Sequence, residues 1–274
     1  MISGSRLPVQ FALQMACVLA LATLGAASTE GASPPDLQRL DNLLARTASR
    51  TSVFLEQFSD VKCTEQVRQE KLGKDDKVEL KVDSTYDYLV ILTNEGGELN
   101  LSESRIPVRE AKKDRKNTSM LLSNGFATLF LVFHPYYSAA FKFTPAGQDV
   151  VAGRTLEKIS FQHVPGMKSP AALALRGREY PLELSGTAWI DSETGSIAKI
   201  EAGVGDTLQD VGLKALVSQI DFAPLKFSDS PQEYWFPTQA RVEVETPRQH
   251  WRNLHQFTAY KKFSVTTEEQ VVKK

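Results

Sequence analysis

The chain has 274 residues, of which 42% are hydrophobic, 24% charged and 9% aromatic. This is the composition of a folded globular protein, and it excludes a collagenous, disordered or polytopic membrane chain. Lys and Arg total 32 against 33 Asp and Glu, a formal net charge of −1, so nothing in the composition draws the chain toward nucleic acid or an anionic membrane.

The N-terminus carries one basic residue, Arg6, then the apolar run Phe11 to Leu24 broken by Gln14, then small residues at Gly25, Ala26, Ala27 and Ser28. That layout predicts a cleaved secretory signal over residues 1–28 and a single domain over 29–274. An uncleaved anchor would need the apolar run stretched from Pro8 to Ala27 to reach the ~20 residues of a spanning helix. Cys17 does not read as a lipid-attachment site, because Gln14 interrupts the signal and the apolar run continues past the cysteine. Without residues 1–28 the chain keeps 31 basic and 33 acidic groups and one cysteine, Cys63. No internal disulfide is then possible, and the expected location is the periplasm, with contact to the membrane peripheral at most. Cys63 shares the apolar face of an extended segment with Val61 and Val67, which predicts a buried, inert thiol.

Ser33-Pro34-Pro35-Asp36 is a helix-start signal, with Asp36 as the expected N-cap. Leu37, Leu40, Leu43, Leu44 and Ala48 then recur at threes and fours, predicting a helix over about 36 to 58. From Val61 the period becomes two. Val78, Leu80 and Val82, then Tyr86, Tyr88, Val90 and Leu92, then Leu99 and Leu101 read as an antiparallel meander punctuated by turns at Gly73 to Asp76 and Asn94 to Gly97. Six basic and two acidic residues follow between Arg105 and Lys116. Arg109, Lys112, Lys113 and Arg115 form a candidate docking patch for a partner, although a solvated loop is the ordinary meaning of such a run.

Leu122, Phe126, Leu129, Phe130 and Phe133 predict a second, strongly apolar helix that stops at His134-Pro135. Strand patterns then continue from Phe141 almost to the C-terminus. Asp191 to Gly195 is the turn of a hairpin whose strands are Gly186 to Ile190 and Ile197 to Ala202. About ten long antiparallel strands beside two or three helices predict a mainly β, α+β domain whose sheet must curl, fold into a sandwich or close.

Catalytic chemistry finds little support. His250 and His255 fall on opposite faces of a strand pattern, no zinc-ligand spacing or paired cysteines occur, and there is no Gly-x-Ser-x-Gly elbow. Glu243 and Glu245 alternate with Val242 and Val244 as the wet face of a strand. No cofactor, metal or catalytic residue is predicted, and an enzyme would require His163, His250 or His255 to converge with acids in a polar pocket. Trp189, Trp235 and Trp251 read as core. The aromatic concentration around the second helix, by contrast, suits either a core wedge or the lining of an apolar ligand cavity. Its candidate residues are Phe126, Leu129, Phe130, Phe133, Tyr136, Tyr137 and Phe141.

The hairpin Gly186-Thr187-Ala188-Trp189-Ile190-Asp191-Ser192-Glu193-Thr194-Gly195-Ser196-Ile197 resembles the periplasmic lipoprotein carriers and receptors of the LolA/LolB type. So does the order of signal, helix, meander and apolar middle helix. The resemblance implies an unclosed β-barrel holding acyl chains in an apolar cavity. It also implies a non-enzymatic cell-envelope protein whose partner is a lipid or an acylated protein. The alternative is an envelope interaction or regulatory protein whose core is filled by its own side chains, with an uncharacterised hydrolase as the third reading. The stretch His250 to His255 and the turn Arg176 to Pro181 have no counterpart in that pattern, and the lipid-attachment cysteine of the receptor is absent.

Overall fold

The structure is a computed structural model that describes residues 34–95, 98–108, 127–175, 178–204, 212–228 and 233–262. The expected signal segment, the docking candidates Arg109, Lys112, Lys113 and Arg115, and Phe126 lie outside these residues.

Helix α1 spans Pro34–Ser59, so it begins two residues before the expected cap. Proline suits the first helical position, where its missing N–H would have had no partner, and Asp36 becomes a first-turn acid instead. Leu40, Leu43, Thr47, Thr51, Phe54, Leu55 and Phe58 are buried along one face, the three-and-four spacing of a helix laid on a sheet.

Among the described residues twelve strands follow: β1 (Val61–Leu72), β2 (Val78–Glu95), β3 (Glu98–Pro107), β4 (Phe141–Val151), β5 (Arg154–His163), β6 (Ala172–Leu175), β7 (Arg178–Pro181), β8 (Leu184–Asp191), β9 (Ile197–Val204), β10 (Ala215–Lys226), β11 (Glu233–Glu245) and β12 (His250–Lys262). Ten of them form one antiparallel sheet in the order β3-β2-β1-β12-β11-β10-β9-β8-β5-β4, while β6 and β7 pair separately. The first and last strands of the chain meet, with Val67 opposite His255, and β3 and β4 remain as the two edges. The fold is therefore mainly β, an unclosed half-barrel. Alternation buries one side of β1, where Val61, Cys63, Glu65, Val67 and Gln69 all lie inside.

Two expectations change. The apolar middle segment is described as a 3-10 helix, Ala127–Phe133, not an α-helical stripe. Leu129 to Phe133 are all buried, because a short segment enclosed on every side has no solvent face to alternate with. Of the tryptophans only Trp251 is core. Trp189 is half-buried on the outer face, with its Nε1 donating to Asp149 Oδ2 at 2.7 Å and the Lys199 ammonium 4.5 Å from its ring. Trp235 is half-buried under the guanidinium of Arg154.

Candidate functional site

The β8–β9 turn fixes where α1 sits. Asp191 Oδ1 accepts hydrogen bonds from the backbone N–H of Glu193 and of Thr194 and from the Thr194 hydroxyl, at 3.1, 2.8 and 2.9 Å. Burial alone would push this carboxyl up, but those bonds and Arg154 hold it below the usual aspartate range. Gly195 adopts φ +74°, and a Cβ there would lie 2.9 Å from Arg46 Cβ and 3.0 Å from the Arg46 backbone. The turn thus needs glycine both for its conformation and for the close approach of the helix. Arg46 and Arg50 complete the junction by donating to the carbonyls of Ser192, at 3.0 Å, and Thr194, at 3.2 Å. The hairpin that carries the family resemblance is the seat of α1.

Beside this junction, between the N-terminal half of α1 and strands β4 and β5, lies a cleft of about 260 Å³. Leu40, Leu43, Pro145 and Ile159 give it an apolar lining, and Asp36, Arg39, Arg46 and Glu157 are its charged groups. Arg39 pairs with Glu157, which also accepts a 2.8 Å bond from Gln148 Nε2. The Arg39 side chain nevertheless remains 65% exposed. The cleft thus joins an apolar lining to two guanidiniums balanced by two carboxylates.

Five of the seven expected cavity residues, Leu129, Phe130, Phe133, Tyr137 and Phe141, are brought together in the core. Phe130 stacks on Phe54 at 4.2 Å and meets Phe222 edge-on at 4.5 Å, while Phe133 packs on Phe143 and Phe161 at 5.2 and 5.9 Å. Tyr136 is on the surface, 41% exposed, with its hydroxyl accepting from Lys168 Nζ at 2.9 Å. The space beside Phe130 is about 40 Å³, far below the ~300 Å³ of a small-molecule pocket. Ile159 of the cleft and Phe161 of this cluster are two residues apart on the buried side of β5.

A buried ionic cluster escaped the reading of the sequence. Glu65 is 0% exposed. It takes Arg105 Nε and Nη2 at 2.6 and 2.9 Å, and its Oε1 lies 2.8 Å from His255 Nδ1. Burial pushes the Glu65 carboxyl up, but the bonds from His255 and Arg105 outweigh it and hold the group low. Burial also lowers the His255 imidazole, against the pull of Glu65, so the ring is neutral near pH 7 and donates from Nδ1. Arg105 in turn lies over the Tyr88 ring at 4.9 Å. His255 thus meets an acid with both side chains 0% exposed, and His250 meets Asp76 and Glu243 at 3.5 and 3.9 Å on the other face of its strand. The cluster clamps edge strand β3 to β1 and β12. Its signal was available: Glu65 falls on the same alternation as Val61, Cys63 and Val67. The Cys63 thiol, buried beside it, is pushed up to about 12, chiefly by desolvation. His163, at the end of β5, is also buried and packs against Phe141 at 5.2 Å.

No protein-family model matches this sequence, and no curated protein does. Among solved structures, the chain is similar to a DUF1329 family protein from Desulfovibrio piger, at 10% identity and TM-score 0.44, covering 84% of this chain and 95% of that one. A LolA superfamily protein from Nitrosomonas europaea matches at 8% identity and TM-score 0.40, over 81% of this chain and 94% of that one. The lipoprotein LppX of Mycobacterium tuberculosis matches at 11% identity and TM-score 0.24, over 83% and 99%. The chain thus bears a distant resemblance to LolA-type proteins, and any function must be argued from its own residues.

Proposed function

We propose that this is an exported, periplasmic, non-enzymatic protein that holds the acyl chain of a lipid or of an acylated protein in the cleft between α1 and the β4–β5 edge. The observation that carries this reading is the apolar lining of Leu40, Leu43 and Ile159 beside the charged groups Arg39, Arg46, Asp36 and Glu157. An acyl chain gains ~0.8 kcal/mol for each methylene it buries, and an anionic headgroup finds charge-assisted donors in the two guanidiniums. A chain longer than the cleft would press on Phe161 and Phe133. In this reading Leu129, Phe130, Phe133, Tyr137 and Phe141 form the yielding inner wall, Tyr136 lies at its surface end, and Phe126, outside the described residues, stays a candidate ligand contact. No described helix is long and apolar enough to cross a membrane.

Displacement of a fluorescent fatty acid tests the reading. Leu40→Trp, which adds bulk at a position lining the cleft, should weaken binding about tenfold or more, with the fold checked by thermal melting. Equal binding by wild type and this variant would reject the cleft as the site.

The tight packing of Phe130 and Phe133 favours a second reading, an envelope interaction or regulatory protein with a filled core. Arg109, Lys112, Lys113 and Arg115 would then be the docking surface. Lys112→Glu with Lys113→Glu separates the two, because partner capture would fail while fatty-acid binding would barely change.

A further inference from the structure

The outer face of the sheet carries a trough that the acyl-chain reading does not use. It runs across the strands from β2 to β10 and encloses about 670 Å³. One wall is a register row in which Thr85 faces Gln66, Gln66 faces Gln256, Gln256 faces Gln239, and Gln239 faces Asp221. The other wall is the row two residues away on each strand, Asp83, Arg68, Leu254, Arg241 and Gln219. Between the walls the floor is main chain, because the intervening Val67, His255 and Ala240 bury their side chains on the opposite face. Five strands at ~4.8 Å and two rows two residues apart make the trough ~19 Å long and ~7 Å wide.

The lining has a definite chemistry. Four primary amides, Gln66, Gln219, Gln239 and Gln256, each offer both donors and an acceptor. Two guanidiniums balance two carboxylates, and these charges are engaged. Arg68 Nε donates to Asp83 Oδ1 at 2.9 Å, Gln219 Nε2 donates to Asp221 Oδ2 at 3.2 Å, and Arg241 Nε donates to Glu243 Oε1 at 3.1 Å. A polyanion or an anionic membrane would require a net positive surface, which is missing here. An extended peptide gains its affinity by main-chain pairing at a sheet edge, yet β1, β12, β11 and β10 are interior strands with neighbours on both sides. A row of hydroxyls, each donor and acceptor at once, matches what remains. We propose that the trough binds a neutral glycan chain lying across the strands.

The test uses the full chain without its N-terminal 28 residues. Soluble β-1,4-linked oligomers of N-acetylglucosamine and of glucose are titrated in by calorimetry, and insoluble chitin and cellulose are used for co-sedimentation. At least one of these should bind, with little response to added salt. Gln239→Ala with Gln256→Ala, both exposed, should weaken that binding about tenfold or more with no change in thermal midpoint. Leu40→Trp should leave it unchanged, which keeps this site separable from the acyl cleft. Absence of binding to every one of these glycans, or binding indifferent to the double variant, overturns the proposal. Capture of peptides or anionic vesicles that the double variant abolishes would also overturn it, by assigning the trough to another ligand.

Discussion

Single residues set the energetics of the two buried features. Glu65 is held as a carboxylate below its ordinary range, and its partner His255 is held neutral below its own. In both cases the folded protein binds protons less readily than the unfolded chain, so stability is present above the unfolded pKa values and is lost as pH falls. The His255 contribution declines below about pH 6.5 and that of Glu65 below about pH 4.5. Urea midpoints should therefore fall from pH 7 to pH 4, and Arg105→Ala, which strands a buried carboxylate, should cost ~3–5 kcal/mol at pH 7. A midpoint unmoved by Arg105→Ala would mean that the cluster is not ionised. Gly195→Ala combines a positive φ with contact on Arg46 and should cost upwards of ~1–2 kcal/mol by thermal melting. Cys63 should react with a disulfide reagent only after unfolding, given a thiol pushed up to about 12 and 3% exposed. Rapid labelling of the native protein would contradict its burial.

Among the elements, the regular ones were legible and the enclosed ones were not. The helix over Pro34–Ser59 and the hairpin around Asp191 follow from three-and-four and two-residue periods with marked turn chemistry, and both stand within a few residues of expectation. The segment around Phe130 misled because periodicity reports a water-facing side, and Leu129 to Phe133 have none. Glu65 was passed over because an acid in a strand reads as outward-facing by default, and only the distant partners Arg105 and His255 make its burial tolerable. The seat of α1 was equally hidden in sequence, since it joins Arg46 and Arg50 to carbonyls 146 and 144 residues away. That seat predicts an effect on the cleft. Arg46→Ala should loosen the helix and raise amide exchange across residues 36–50 while β1, β12 and β11 stay protected.

At the level of the whole molecule, the open sheet defines both candidate binding places. An antiparallel meander that pairs its first and last strands leaves β3 and β4 as edges, and the described cleft lies along the β4–β5 side. A mainly β fold could be anticipated from about ten strand patterns beside two or three helices, whereas the unclosed barrel followed only from the family resemblance. Where its spaces lie could not be anticipated, because cavities depend on how side chains such as Phe130 and Phe54 settle against one another. The outer trough was invisible for the same reason, as its walls come from five strands brought into register by the fold.

Native mass spectrometry of the protein purified from its own envelope, with organic extraction of whatever is released, tests the acyl-chain reading most directly. It should find a bound lipid or acyl mass in wild type that is strongly reduced in Leu40→Trp. Clean protein that also takes up no added fatty acid or phospholipid would contradict it and would leave a filled core with its function on the surface.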